Sequence, residues 1–131
     1  EFVLKYTGPA EVLVTSFSLS ETAIRAFVRL MDEGLITELQ CLFDVSTKRN
    51  KLDLLMFAQN VTSEVYLSSN HAKLISVKSA QKHVFINTSA NLTVNRRHES
   101  GILITDKQMV DQYYTAIHEI FDSGILLNFE E

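Results

Sequence analysis

Apolar positions along this chain alternate between short unbroken runs and stretches spaced by three or four residues. A run is the mark of a strand buried on both faces, and the wider spacing is the mark of one helix face. Residues 11–17, EVLVTSF, form the first run. Ser18 or Ser20 then offers an N-cap with Glu21 in the first turn, and Ile24, Phe27, Val28, Met31 and Leu35 predict a helix that Gly34 ends. Residues 39–45 read as the next strand, and the short crossover predicts a right-handed βαβ unit with parallel pairing. Residues 48–60 place Leu52, Leu55 and Met56 at helical spacing, which predicts a second helix on the sheet. Four more short strands follow at 65–68, 72–77, 83–87 and 101–105. The last helix starts at the N-cap Asp106 and repeats Val110, Tyr113, Ile117, Ile120 and Phe121. Strands alternating with amphipathic helices predict an α/β fold, a mixed β-sheet sandwiched by helices. No internal repeat and no boundary interrupts the pattern, so residues 1–131 read as one domain.

Composition agrees with a packed domain. Of 131 residues, 46% are apolar and 21% charged, with one Pro and four Gly, which excludes a disordered tail or a linker array. No run of about 18 apolar residues exists, so no membrane span is expected, and the first residues lack the basic-then-apolar order of a signal peptide. The lone Cys41 has no partner for a disulfide or a zinc site and reads as a buried thiol in a reducing compartment, which favours the cytoplasm. Asn60, Asn87 and Asn91 each begin a glycosylation sequon, and a glycan on Asn91 conflicts with the site described next, which agrees with an intracellular expectation.

Charge is unevenly placed. The net charge is −4, yet from residue 66 to residue 98 there is no Asp or Glu, while Lys73, Lys78, Lys82, Arg96 and Arg97 lie there with His71, His83 and His98. An acidic body with one basic segment predicts a local anion site, against the alternative of cations simply clustered on solvated strands and loops.

Within that segment, His71-Ala72-Lys73 alternates as a strand would, which puts the imidazole and the ammonium on one face. Ser89 and Asn91 follow a predicted strand and Glu99 precedes the next, so neighbouring strand ends can gather all five. These are the groups a phosphodiester needs: an imidazole to attack phosphorus, an ammonium and an amide for the non-bridging oxygens, and a carboxylate to orient the imidazole. The carboxylates are otherwise scattered and the histidines lack ligand spacing, so neither a metal nor another cofactor is expected. Arg96 and Arg97 either widen the phosphate surface or are solvated in a loop; Tyr113 and Phe121 read as packing.

In these pieces the chain resembles the phospholipase D superfamily, whose motif runs HxK(x)4D, then G-S-x-N, then a Glu before the next strand. HAK at His71 to Lys73 matches the opening, S-A-N at Ser89 to Asn91 the second piece, and ESGILI from Glu99 the third; Lys78 stands where the Asp is expected and Thr88 where the Gly is. The resemblance implies a phospholipase D-like domain carrying one catalytic-motif half. It also implies a metal-independent phosphodiesterase, most plausibly a nuclease, in which neutral His71 attacks phosphorus and becomes a phosphohistidine. Lys73 and Asn91 would then hold the equatorial oxygens with help from Ser89, and Glu99 would fix the His71 tautomer. Because the reaction uses two such histidines and this chain has one HxK, the resemblance implies a homodimer, or else half of a longer parent. DNA or RNA is the expected substrate, with phospholipid less favoured for want of an amphipathic membrane-binding stretch. The alternative is a noncatalytic module that keeps phosphate or nucleic-acid affinity, as Lys78 and Thr88 would permit.

Overall fold

The computed structural model describes residues 1–129. It is a mixed α/β arrangement of seven strands and five helices. In chain order these are α1 (Phe2–Thr7), β1 (Ala10–Ser16), α2 (Glu21–Asp32), β2 (Ile36–Asp44), α3 (Ser46–Asn50), α4 (Leu52–Val61), β3 (Glu64–Ser68), β4 (Leu74–Lys78), β5 (His83–Thr88), β6 (Gly101–Ile104), α5 (Lys107–Asp122) and β7 (Ile125–Leu126). The sheet order is β6-β5-β4-β1-β2-β3-β7. Strands β1, β2 and β3 are mutually parallel, whereas β4, β5, β6 and β7 each run antiparallel to the neighbour they join.

Alternation along the central strands feeds two apolar layers. Val12 and Val14 of β1, with Leu39, Cys41 and Phe43 of β2, face the layer that also holds Leu4 of α1, Ile24 and Leu30 of α2, and Leu55 and Ala58 of α4. Leu13, Leu42, Leu74 and Phe85 face the other way, against Val110, Ile117 and Phe121 of α5. The sheet is thus covered by helices on both faces, which is why its central strands read as unbroken apolar runs. Cys41 lies in the middle of β2, and burial pushes its thiol up to about 12.

Local signals act as their chemistry directs. Ser20 accepts from the Ala23 N–H to cap α2, and Asp106 accepts from the Met109 N–H to cap α5. Gly34, at φ +74°, closes α2 by sending its N–H to Met31 while the Leu35 N–H reaches Leu30, a Schellman arrangement that needs a residue in the left-handed region. Two expectations need correction. The helix expected over 48–60 is two helices, because the backbone leaves helical geometry at Lys51, whose ammonium donates to the Leu19 carbonyl at 2.7 Å. The strand expected from residue 72 starts at Leu74, because the preceding backbone is drawn into side-chain hydrogen bonds described below. No helix among the described residues is long and apolar enough to cross a membrane.

Candidate functional site

Strand direction decides which residues meet. Because β4 is antiparallel to β1, the start of β4 lies beside the end of β1, with Leu74 opposite Thr15. The next reversal brings the end of β5 to the same rim, with Asn87 opposite Leu74, and the one after brings the start of β6 there, with Gly101 opposite Thr88. His71 and Lys73 precede β4, Ser89 and Asn91 follow β5, and Glu99 precedes β6. All five therefore lie at one end of the sheet, outside the carboxyl ends of the parallel strands and beside the β1–β4 junction where strand direction changes. In α/β sheets that is where ligands bind.

The loop that carries His71 is held from beneath by buried polar side chains. Buried Asn70 donates through Nδ2 to the carbonyls of Ser16 (3.3 Å) and Ala72 (3.1 Å), and its Oδ1 accepts from the Ala72 N–H. Its own N–H donates to Asp44 Oδ1 at 3.0 Å. Thr15 Oγ1 donates to the Ala72 carbonyl and accepts from the Leu74 N–H, so one buried hydroxyl bridges the gap where the strand ladder stops. These bonds take the place of β-ladder bonds, which is the physical reason residues 71–73 are not strand. Burial alone would raise the Asp44 carboxyl, but hydrogen bonds from the Ser46 hydroxyl and from the Ser46, Asn70 and Val45 backbone outweigh it and hold the group below its usual range.

On this support, exposed His71 and half-buried Lys73 are adjacent through a fold-back rather than through strand alternation. Lys73 Nζ lies 3.1 Å from His71 Nδ1 and donates to the His71 carbonyl at 2.9 Å. An ammonium has no acceptor capacity, so this contact places the imidazole proton on Nε2. The His71 ring also rests against Phe17, with centroids 5.1 Å apart. Asn91 reaches the same place from β5: its Oδ1 accepts from the Phe17 N–H at 3.2 Å and lies 3.4 Å from Ser16 Oγ. With the oxygen so engaged, its NH₂ is left as a donor.

Family models and curated proteins offer no match to this chain. The phospholipase D resemblance therefore rests on the residues quoted above.

Glu99 departs from the expected arrangement. Its carboxylate accepts from Ser89 Oγ, and Ser89 Oγ in turn accepts from the Ser100 N–H at 3.0 Å. It makes no contact with His71, whose Nδ1 is instead met by Lys73. Thr88, at the expected Gly, is accommodated: its Oγ1 donates to the Ser100 carbonyl and accepts from the Ala90 N–H, while Gly101 beside it leaves the space that a Cβ, 3.2 Å from Thr88 Cβ, would crowd. Arg96 and Arg97 are exposed in the β5–β6 connection and form no ion pair among the described residues. Lys78 lies at the far end of β4, opposite Glu11 in register, so its substitution for an Asp leaves the His71 end untouched.

Sequence reasoning missed Asn70, Thr15, Ser16 and Asp44. The Ser-Ser-Asn run before His71 carried a signal, since Asn bonding to a backbone N–H two residues on is a known way to leave a strand.

Proposed function

We propose that the chain has a phospholipase D-like fold and is a metal-independent phosphodiesterase acting on nucleic acid, with His71 as nucleophile in a homodimer. The observation that carries this reading is the convergence at one sheet end of an imidazole, an ammonium 3.1 Å from it and the amide of Asn91, whose oxygen is held by the Phe17 N–H. A phosphate oxygen is a stronger partner for an ammonium than an imidazole nitrogen is, so a bound phosphodiester draws Lys73 off Nδ1 and uncovers the imidazole lone pair. The N–P bond forms as the bond to the leaving oxygen breaks, and that oxygen takes its proton from the imidazolium of a second copy's His71. Water then attacks phosphorus, returns a proton to the second imidazole and releases the N–P bond. Lys73 and the Asn91 NH₂ hold the oxygens that gain charge in both steps.

The test is turnover of bis(p-nitrophenyl) phosphate and of single-stranded DNA in excess chelator, with His71→Ala beside the wild type. Activity only in the wild type is the expected result, and equal activity in a folded His71→Ala protein overturns it. For the dimer, adding excess His71→Ala chains should depress wild-type activity below simple dilution.

A second reading, a noncatalytic phosphate-binding module, is favoured by one contact: the Glu99 carboxylate is held by Ser89 and not by His71. It expects no turnover but salt-sensitive binding of single-stranded nucleic acid. With Lys73, Arg96 and Arg97 at this end, the slope of log affinity against log salt should be about −2, from roughly −0.7 per neutralised phosphate.

A further inference from the structure

The opposite end of β4 and β5 holds a cluster that the proposed reaction does not use. A cavity of about 540 Å³ opens there between the β4–β5 turn, α1 and the first turns of α5, lined among others by Tyr6, Lys78, Lys82, His83, Lys107 and Asp111. Its volume is in the range of small-molecule sites, roughly 300–1,000 Å³. Among the described residues, three lysines and a single carboxylate, that of Asp111, line it. Lys107 Nζ pairs with Asp111 at 3.0 Å. Lys82 Nζ donates once, to the Tyr6 carbonyl at 3.0 Å, and lies 3.9 Å from the centre of the Tyr6 ring. Lys78 Nζ lies 4.7 Å from the centre of the Tyr114 ring and has no ion pair within 4 Å among the described residues, although Glu11 faces it across the β1–β4 register.

We propose that this cavity is a second anion site, separate from the His71 end, and that it takes a phosphate monoester. Each ammonium carries three donors, and among the described residues at most one of each is spent on a neighbour's oxygen, so donors remain on all three lysines. The rings of Tyr6 and Tyr114 stabilise Lys82 and Lys78 without neutralising them, which leaves positive charge available to a ligand. A dianionic monoester suits this surplus better than a singly charged diester does, since lysine recognises phosphate as a point charge. The turn itself is fixed: the Ser79 N–H donates to the Lys82 carbonyl at 2.8 Å and the Lys82 N–H to Ser79 Oγ at 3.0 Å, so Lys78 and Lys82 keep their spacing. The monoester is either a free small molecule or the terminal phosphate of an oligonucleotide.

The experiment is a titration followed by backbone amide NMR, using inorganic phosphate, AMP, and one oligonucleotide with and without a 5′-phosphate. Saturable shifts at Lys78, Lys82, Thr105 and Lys107 are expected. In the paired Lys78→Ala/Lys82→Ala variant the affinity should fall about tenfold or more, as for lost charge-assisted bonds, while His71→Ala leaves it unchanged. Glu11→Gln should tighten binding. Binding of AMP assigns the site to small monoesters, and a preference for the 5′-phosphorylated oligonucleotide over both AMP and the 5′-hydroxyl form assigns it to strand ends. Absence of shifts at these residues with all four probes, or affinity unchanged in the paired variant, overturns the proposal. Because the His71 end is monitored by separate signals and by turnover, failure here is distinguishable from failure of the phosphodiesterase reading.

Discussion

The two ends of β4 and β5 both present lysine and histidine, and they hold them by different means. At the His71 end the ring and ammonium are exposed or half-exposed, but the loop beneath them hangs on buried Asn70, Asp44, Thr15 and Ser16. At the Lys78 end there is no comparable buried network among the described residues; the cations lean on aromatic rings, and His83 lies between Ser76 Oγ, 2.7 Å away, and the Tyr114 ring edge. Buried hydrogen bonds have directions and fix a position, whereas a cation over a ring is tolerant of angle. The difference teaches that the first end is built to place two groups relative to each other, and the second to gather charge.

The largest expected effect separates the ends by chemistry. His71→Ala should lower phosphodiester turnover by about a thousandfold or more, with stability within about 0.5 kcal/mol of the wild type because the ring is exposed, whereas Lys78→Ala should leave turnover unchanged. Turnover of both variants with urea melts checks this. If Lys78→Ala proves as damaging, the ends are not independent.

The next effect is on stability. Asn70→Ala removes the side-chain partners of the Ala72 N–H and of the Ser16 carbonyl, while the Ala72 carbonyl keeps Thr15 Oγ1, and should cost about 2–4 kcal/mol, read from the urea midpoint. Lys82→Ala, at an exposed position of the other end, should cost less than about 1 kcal/mol.

Both ends then differ in their pH response. The Asp44 carboxyl is depressed in the folded state, so its contribution is present above the unfolded carboxyl's pKa and is lost as pH falls through the lower folded value. Asp44→Asn should therefore flatten the acid limb of a stability–pH curve measured by thermal melting. At the Lys78 end, His83 is lowered by burial first and then by Lys78, with Asp111 opposing; Ser76, Tyr114 and the neighbouring His118 complete its surroundings. The unfolded chain takes the His83 proton more readily, so stability is full above the unfolded histidine's pKa of about 6.5 and declines as pH falls from there to the folded value.

The smallest effect sharpens the comparison. Lys78→Met should raise the His83 pKa, observed in its imidazole NMR signals, and leave those of His71 in place.

How much of this was legible follows from which signals are local. Ser20, Gly34 and Asp106 announce helix ends through their own chemistry, and the apolar runs of β1 and β2 announce burial. Short α1 and two-residue β7 carry too little periodicity to register. At the site, HAK and S-A-N marked the residues, but which partner each would take depended on contacts distant in sequence. Asn91 bonds to Phe17 across 74 positions, and Thr15 to Ala72 across 57. The charge of Glu99 suits a partner of His71, but its carboxylate meets Ser89, ten positions away and across the mouth of the same β5–β6 connection.

Cys41 gives the molecule a clock. The thiolate is the form that alkylates, and a thiol pushed up to about 12 in the middle of β2 is almost wholly protonated and out of reach at neutral pH. Reagent can capture it only when the sheet opens, so with reagent in excess the labelling rate approaches the rate at which the centre unzips. One sulfur, distant from both sheet ends, thus times how long they stay joined.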